Sequence, residues 1–244
     1  MSNPLKRLLN ILIFGFLYFT SFAQKGEHSS IVVEYTTKSI RDITKIESKE
    51  AQSIVLETER LMEDFQFELL ANKDVALFKM KRKLVGDNIS KSIYNLAVVS
   101  CDGDEVWYVD KVNNLKVVEK QGFENQICLT YDQENPWNIE SSQKTIANFN
   151  CYKATTVRNE GQRRIEVTAW FTNELPYGFG PLGFDGLPGT ILELEFSSIV
   201  YSALNVRLNK KERIDEPKCS STQSYDTYFK MMDDRMNTLI KQGD

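Results

Sequence analysis

Apolar and polar residues alternate with a period of two along most of the chain after residue 30. This alternation is typical of strands that bury one face, and runs rich in Val, Ile, Thr and aromatic residues strengthen it. The predicted strands cover residues 31–37, 65–69, 75–78, 106–109, 115–118, 127–131, 137–139, 151–157, 164–171, 190–196 and 201–208. Short connections with Gly, Asn or Asp, such as 102–104 and 159–161, favour antiparallel neighbours over helical crossovers.

The last segment has a helical period instead. Spacings of four, three, four and three place one apolar stripe on a helix, formed by Tyr225, Phe229, Met232, Met236 and Leu239. Ser221 or Ser224 is a candidate N-cap, and we expect the stripe to pack on the chain's own sheet. Residues 41–62 are charged and weakly periodic, which predicts a loop or short helix. The predicted fold class is mainly β (α+β): a curved antiparallel sheet or meander, half-barrel-like, with one C-terminal amphipathic helix.

The N-terminus has the pattern of a secretory signal peptide. Lys6 and Arg7 precede an apolar run over 8–19, and small residues at Ser21 and Ala23 suit a cleavage site. The run is shorter than the roughly 20 residues that span a bilayer, so we predict cleavage and no stable membrane insertion afterwards. Residues 1–23 are therefore predicted to be a signal peptide. Because no linker or repeat divides the remainder, 24–244 is predicted to be one β-rich domain, periplasmic or extracellular.

Composition indicates the class of protein, and charge limits the kind of partner that it can bind. With 41% hydrophobic and 26% charged residues, the chain has the composition of an ordinary globular protein. A net charge of -4 and a pI near 5.3 argue against nucleic acid as a partner, because phosphate binding needs a basic face.

The four cysteines predict disulfides, because an exported protein meets an oxidising compartment and no zinc-binding spacing accompanies them. The candidates are Cys101, Cys128, Cys151 and Cys219. Their positions beside successive strands favour pairing Cys101 with Cys128 and Cys151 with Cys219. One bridge with two buried free thiols stays open as the alternative.

Few residues are available for catalysis. The one histidine, His28, lies close to the predicted cleavage site, which makes a Ser-His-Asp or Cys-His site improbable. We predict no metal site and no cofactor. Glu193 and Glu195, which share a strand face, and Asp185 nearby are the only carboxylate candidates for a hydrolase, and a solvated sheet face explains the glutamate pair more simply. We therefore predict that the chain is not an enzyme.

The stretch 176–189 holds five of the twelve glycines and three of the six prolines. Gly178, Gly180 and Gly183 fit the spacing of a dinucleotide-binding loop, but Pro181 interrupts it and a strand follows instead of a helix. The stretch is instead predicted to be a structural bend. We expect a tight turn at Gly186, Leu187, Pro188 and Gly189, with Gly189 at a positive φ. In the strand that follows, the alternation places Leu192, Leu194 and Phe196 in the core.

Aromatic residues cluster in sequence around this bend. Trp170, Phe171, Tyr177, Phe179 and Phe184 are candidate binding residues, since exposed rings beside a rigid loop can anchor a peptide, glycan or protein. Burial in the core explains them equally well. Lys153, Arg163 and Arg164 are a candidate rim for an anionic ligand, with cross-strand pairing to Glu160 or Glu166 as the alternative.

Several of these motifs together resemble the GLPGLI family of secreted proteins from Bacteroidetes-type bacteria. The resemblance rests on Gly180-Pro181, Phe184, Gly186-Leu187-Pro188-Gly189 and Ile191-Leu192-Glu193-Leu194, and on Trp137-Asn138-Ile139, Lys144-Thr145-Ile146, Cys151-Tyr152-Lys153-Ala154-Thr155 and Ala169-Trp170-Phe171-Thr172-Asn173-Glu174-Leu175-Pro176 upstream. It covers 137–196, and Thr190 stands where the family name has Leu.

The resemblance implies export, a β-rich fold and association with TonB-dependent outer-membrane receptor systems, without an established reaction. We therefore expect a binding or accessory protein that serves an outer-membrane receptor or another envelope protein. That function predicts an exposed apolar patch near 170–189. The alternative, a carboxylate-dependent hydrolase acting on a glycan or peptide, predicts a cavity where two acidic side chains converge.

Overall fold

A computed structural model describes residues 30–81, 89–121, 126–134, 136–208 and 213–243. The predicted signal peptide 1–23 and His28 lie outside these residues. Twelve strands dominate the described chain: β1 (Ile31–Ser39), β2 (Gln66–Ala71), β3 (Val75–Lys81), β4 (Glu105–Asp110), β5 (Leu115–Gln121), β6 (Gln126–Thr130), β7 (Asn138–Ile146), β8 (Phe149–Glu160), β9 (Arg163–Thr172), β10 (Thr190–Phe196), β11 (Ile199–Leu208) and β12 (Thr222–Ser224). The mainly β fold class is confirmed.

All twelve strands belong to one sheet with the order β12-β6-β5-β4-β3-β2-β1-β11-β10-β9-β8-β7. Strands β1 to β6 form one antiparallel meander and β7 to β11 form a second. The connection 159–161 is a short hairpin as predicted, whereas 102–104 follows a helix (Lys91–Ser100) instead of a strand. The two meanders join where β1 pairs with β11, from Ile31 opposite Leu208 to Ser39 opposite Ile199. The short β12 is the exception, because it runs parallel to β6. The first strand in sequence therefore lies in the middle of the sheet.

The sheet is rolled, which the contacts between distant strands show. Arg158 on β8 and Trp107 on β4 are seven positions apart in the strand order, which would separate them by roughly 34 Å in a flat sheet. Instead the guanidinium carbon of Arg158 lies 4.8 Å from the Trp107 ring centre. The sheet is open, because β12 and β7 each have a neighbour on one side only. The predicted curvature is confirmed, and the concave side encloses the core.

In the described part of the chain, three α-helices accompany the sheet: α1 (Lys49–Glu63), α2 (Lys91–Ser100) and α3 (Tyr225–Gly243). A 3-10 turn (Ile43–Lys45) and α1 lie in the region 41–62, which the sequence predicts to be a loop or short helix. The Ser48 hydroxyl begins α1 by accepting a hydrogen bond from the Ala51 N–H. Helix α2 was not predicted. None of the helices in the described part of the chain is long and apolar enough to cross a membrane.

The predicted terminal helix is confirmed as α3. It contacts β6, β12 and β8, which lie near opposite ends of the strand order, so it lies across the opening of the rolled sheet. Tyr225 is buried and Phe229 is partly buried against the core, as the apolar stripe predicts. The side chains of Met236 and Leu239 are outside the described part of the helix.

The predicted cysteine pairing is wrong. Cys128 is bonded to Cys219, while Cys101 and Cys151 are buried free thiols, so the arrangement that stayed open as the alternative is the one observed. The prediction placed bridges between cysteines that are close in sequence. In the fold, the chain returns to β6 at its end, where Thr222 of β12 pairs with Cys128 and carries Cys219 to within bonding distance.

Candidate functional site

The glycine- and proline-rich segment 176–189 docks inside the rolled sheet. Its 3-10 turn (Pro181–Gly183) contacts β3 and β4. The Arg158 guanidinium donates a hydrogen bond of 2.8 Å to the Leu182 carbonyl, and Lys111 donates to the carbonyls of Tyr177 and Gly178 at 3.0 and 3.2 Å. The segment is therefore an internal structural bend that basic side chains from β8 and the β4–β5 connection hold in place.

Glycines in this segment allow close backbone approaches. A Cβ atom on Gly183 would lie 2.3 Å from the Trp107 ring, and one on Gly189 would lie 2.0 Å from the Thr172 carbonyl oxygen. The predicted positive φ at Gly189 is wrong, because the positive φ angles of this segment belong to Gly178, Leu182, Gly183 and Gly186. Gly189 is needed because β9 passes too close for a side chain.

The candidate binding aromatics lie mostly in the core. Phe171, Tyr177, Phe179 and Phe184 are all buried. Trp170 is half-buried on the outer face, with the Lys144 ammonium 4.3 Å from its ring centre. The exposed apolar patch that we expected near 170–189 is therefore not formed, because the rolled sheet provides an interior for these rings.

Arg158 is surrounded by four of the core's aromatic rings. The guanidinium carbon lies 3.7 Å from the Phe184 ring centre and within 5.2 Å of the centres of Trp107, Tyr131 and Phe196. The side chain is 1% exposed, and its Nε and Nη1 atoms have no hydrogen-bond partner in the described part of the chain. Cation–π attraction offsets part of the cost of burying this charge. Because the rings enclose it, Arg158 has a structural role.

Buried carboxylates lie near the same rings. Glu105 accepts hydrogen bonds from Trp107 Nε1 at 2.9 Å and from Lys120 at 2.7 Å. Burial raises the pKa of Glu105, and the Lys120 ammonium opposes this rise. Burial raises the pKa of Asp102 well above its usual range, and the charge of Glu105 adds to the effect. These carboxylates bond to neighbours within the fold.

The hydrolase candidates do not converge. Glu193 pairs with Lys144 at 2.5 Å and accepts a hydrogen bond from Ser202, whereas Glu195 is exposed. Asp185 is bound to Lys116 at 2.7 Å. None of the three carboxylates lines any of the three cavities of about 890, 450 and 100 Å³ in the described structure.

A solvent-filled cavity lies elsewhere in the described structure, between the β8–β9 hairpin, the β6–β7 connection and the start of α3. We call it the hairpin groove. It has a volume of about 890 Å³ and is open to solvent. Its lining consists of Gln133, Glu134, Pro136, Val157, Asn159, Gly161, Gln162, Arg164, Asp226 and Lys230.

Hydrogen bonds between the three elements hold the hairpin groove in shape. The Gln133 side chain donates to Asp226 Oδ1 at 2.6 Å and to the Asn159 carbonyl at 3.0 Å. The Tyr225 hydroxyl donates to Glu160 at 2.8 Å, and the Gln162 N–H donates to Asp233 at 3.1 Å. The groove is therefore preformed.

Two of the three residues of the predicted anionic rim are in ion pairs. Lys153 pairs with Glu140 at 3.4 Å and Arg163 pairs with Glu160 at 3.0 Å, which leaves neither residue free. Arg164 lines the hairpin groove. The sequence does not predict that Arg164 shares a cavity with Gln133 and Lys230, because only the curvature of the sheet brings these residues together. Among the described residues, no group of three or more His, Cys, Asp or Glu side chains is arranged to hold a metal.

A short part of the chain is similar to a protein family whose function is unknown. Residues 158–193 match the family model "protein of unknown function (Porph_ging)". The match does not carry the GLPGLI name. It runs from Arg158 through β9 and the internal bend into β10, so it covers the part of the chain that docks inside the sheet. No curated protein matches the chain.

Solved structures share the fold. Two structures of PNGF-II, in space groups C2 and P21, align with TM-scores of 0.50 and 0.51 at 18% and 17% identity. The alignments cover 83% and 84% of this chain but 32% and 33% of PNGF-II. The chain therefore spans about a third of the length of PNGF-II, and the low identity shows a common fold alone.

Proposed function

We propose that this chain is an exported binding protein without catalytic activity of its own, and that the hairpin groove is its ligand-binding surface. The observation that carries this proposal is the preformed groove of about 890 Å³, whose walls are joined by hydrogen bonds while polar side chains remain available inside it. A concave site with a few convergent polar groups is the usual form of a ligand site in proteins.

Export is supported by the covalent structure. The Cys128–Cys219 disulfide fits a protein outside the reducing cytoplasm, and the N-terminal sequence pattern is that of a signal peptide. The proposed location is the periplasm or the cell exterior. The proposed partner is an outer-membrane receptor or another envelope protein, as the resemblance of the 137–196 region implies.

The lining of the groove favours binding over hydrolysis. Its only carboxylates are Glu134 and Asp226, and Asp226 is held by the Gln133 amide. Among the described residues, no Ser, Cys or His side chain lines it, so the described lining provides neither the nucleophile nor the base of an acyl-transfer site. The carboxylates on which the hydrolase alternative depends lie outside it.

The test is capture of envelope proteins by cross-linking to the purified protein, residues 24–244, in wild-type form and as Val157→Trp. Val157 lines the groove, so a tryptophan there fills part of it. Thr155→Trp is the matched control, because Thr155 is on the same face of β8, two residues away and outside the groove. We expect Val157→Trp to lose the partner and Thr155→Trp to keep it. Equal capture by both variants would overturn the proposal.

A further inference from the structure

Two cations of the hairpin groove are not paired with an acidic side chain in the described part of the chain. Arg164 on β9 and Lys230 on α3 form neither an ion pair nor a side-chain hydrogen bond there. Other basic residues nearby are paired, such as Lys153 with Glu140 and Arg163 with Glu160. In a chain with 34 acidic and 30 basic residues, two unpaired cations lining one cavity are available to a negative group of a ligand.

The groove is not uniformly basic, which limits the kind of anion. Glu134 also lines it without an ion pair in the described structure, and Asp226 lies in the first turn of α3, where the helix dipole favours a carboxylate. Two acids and two bases give the lining no net charge. A polyanion such as nucleic acid would meet repulsion from Glu134, whereas a ligand with a single negative group beside neutral ones would not.

The remaining lining matches a polypeptide. Pro136 and Val157 provide an apolar surface, and the side-chain amides of Asn159 and Gln162 make no hydrogen bond with described residues. Each amide offers a donor and an acceptor, as a peptide group does. No aromatic ring lines the groove to stack against a sugar.

From these contacts we infer that the ligand of the hairpin groove is a polypeptide segment with an acidic side chain, and that Arg164 and Lys230 bind its carboxylate. The inference rests on the proposed function, because it names the chemistry of the same surface. A guanidinium can hold both carboxylate oxygens in parallel hydrogen bonds, and the ammonium adds a second charge. The apolar residues and free amides of the groove bind the neighbouring backbone of the segment.

The test is selection of a phage-displayed library of random heptapeptides on the purified protein, residues 24–244. We expect peptides with Asp or Glu to be enriched about tenfold over their neutral isosteres, the size that one charge-assisted hydrogen bond gives. The double variant Arg164→Glu with Lys230→Glu should reverse this preference and select Lys or Arg. Lys38→Glu is the control, because Lys38 is exposed on β1 and lies outside the groove. It should leave the selected peptides unchanged.

Three results would overturn the inference. They are selection of peptides without acidic residues, an acidic preference that persists in the double variant, and failure of the wild-type protein to select any peptide. A thermal melt followed by circular dichroism confirms that each variant is folded before selection. The proposed function has a separate test, since loss of envelope capture in Val157→Trp does not depend on the charge of the partner.

Discussion

The hydroxyl of Tyr225, the first residue of α3, donates a hydrogen bond of 2.8 Å to Oε1 of Glu160, the last residue of β8. This contact joins the helix to the hairpin beneath the groove.

Tyr225→Phe removes the donor and leaves a buried carboxylate oxygen without this partner, so we expect a loss of about 1–3 kcal/mol in the free energy of unfolding. Urea denaturation measures it. Tyr228→Phe is the control, because no hydrogen bond from its hydroxyl is seen within the described chain. An equal loss in both variants would contradict the assignment.

Two glycines of the internal bend should differ in their tolerance of alanine. Gly189→Ala places a Cβ atom 2.0 Å from the Thr172 carbonyl oxygen, so β9 and β10 must separate. We expect a cost of about 3 kcal/mol or more, measured by thermal unfolding. In Gly186→Ala the added Cβ makes only ordinary van der Waals contact, with the Trp137 ring at 3.8 Å, and the variant carries the strain of φ +90°. Its cost should be about 1 kcal/mol. Equal costs would show that contact with Thr172 does not decide the effect.

Asp102 should make the protein less stable as pH rises. Burial, helped by the charge of Glu105, raises the pKa of Asp102 well above its usual range. The unfolded chain releases this proton near pH 4 while the folded protein keeps it, so stability falls from pH 4 upward until the folded group ionises. Asp102→Asn removes this proton release and suits the residue's φ of 50°, so it should stabilise the protein at pH 7 and weaken the pH dependence.

Urea denaturation of Asp102→Asn at pH 4 and pH 7 measures the effect. Asp234→Asn is the matched control, since Asp234 is exposed on α3 and should leave both values unchanged. A loss of stability in Asp102→Asn at pH 7 would mean that the ionised carboxylate contributes favourably, for example through Lys120.

The two free thiols should be unreactive in the folded protein. Burial raises the pKa of Cys151 to about 11 and raises that of Cys101 further, so almost no thiolate is present at pH 8. We expect a thiol-specific chromogenic reagent to label neither cysteine before unfolding and both in denaturant. Fast labelling of one thiol in the native protein would show that its cover opens.

The Cys128–Cys219 bridge should contribute much of the stability, because it closes a loop with a sequence separation of 91. The double variant Cys128→Ser with Cys219→Ser frees the unfolded chain, and we expect a loss of about 2–5 kcal/mol. Denaturant unfolding under non-reducing conditions measures it. Cys101→Ser is the control for the effect of replacing a cysteine that forms no bridge. A double variant as stable as the wild type would show that the bridge does not stabilise the protein.

Strand positions could be predicted where a strand buries one face, which β12, exposed at all three residues, does not. The period of two gave the order and approximate bounds of most strands, and the period of 3.6 gave α3. The same rule failed locally at Ile191, where the alternation places the side chain with Glu193 on the outer face. Ile191 is 0% exposed, because the pairing of β10 with β9 shifts register between Ile191 and Glu193. A bulge of this kind depends on the partner strand and leaves no periodic signal.

The groove could not be predicted for a related reason. Gln133, Arg164 and Lys230 come from three separate parts of the chain, and only the roll of the sheet and the position of α3 bring them to one cavity. The aromatic residues near the bend were better candidates on sequence grounds. These rings lie in the core because the bend is inside the rolled sheet, where Arg158 and Lys111 donate hydrogen bonds to its carbonyls. No local sequence pattern indicates these contacts.

Because β1 lies in the middle of the sheet, one of its edges stays unpaired until late in the synthesis of the chain. One neighbour of β1, β2, follows shortly in the sequence, but the other, β11, is among the last segments to appear. Until then β1 exposes unpaired backbone N–H and C=O groups along a strand rich in Ile, Val and Tyr, which is a template for aggregation. We expect this unpaired edge to be the part of the folding chain that most needs protection by a chaperone.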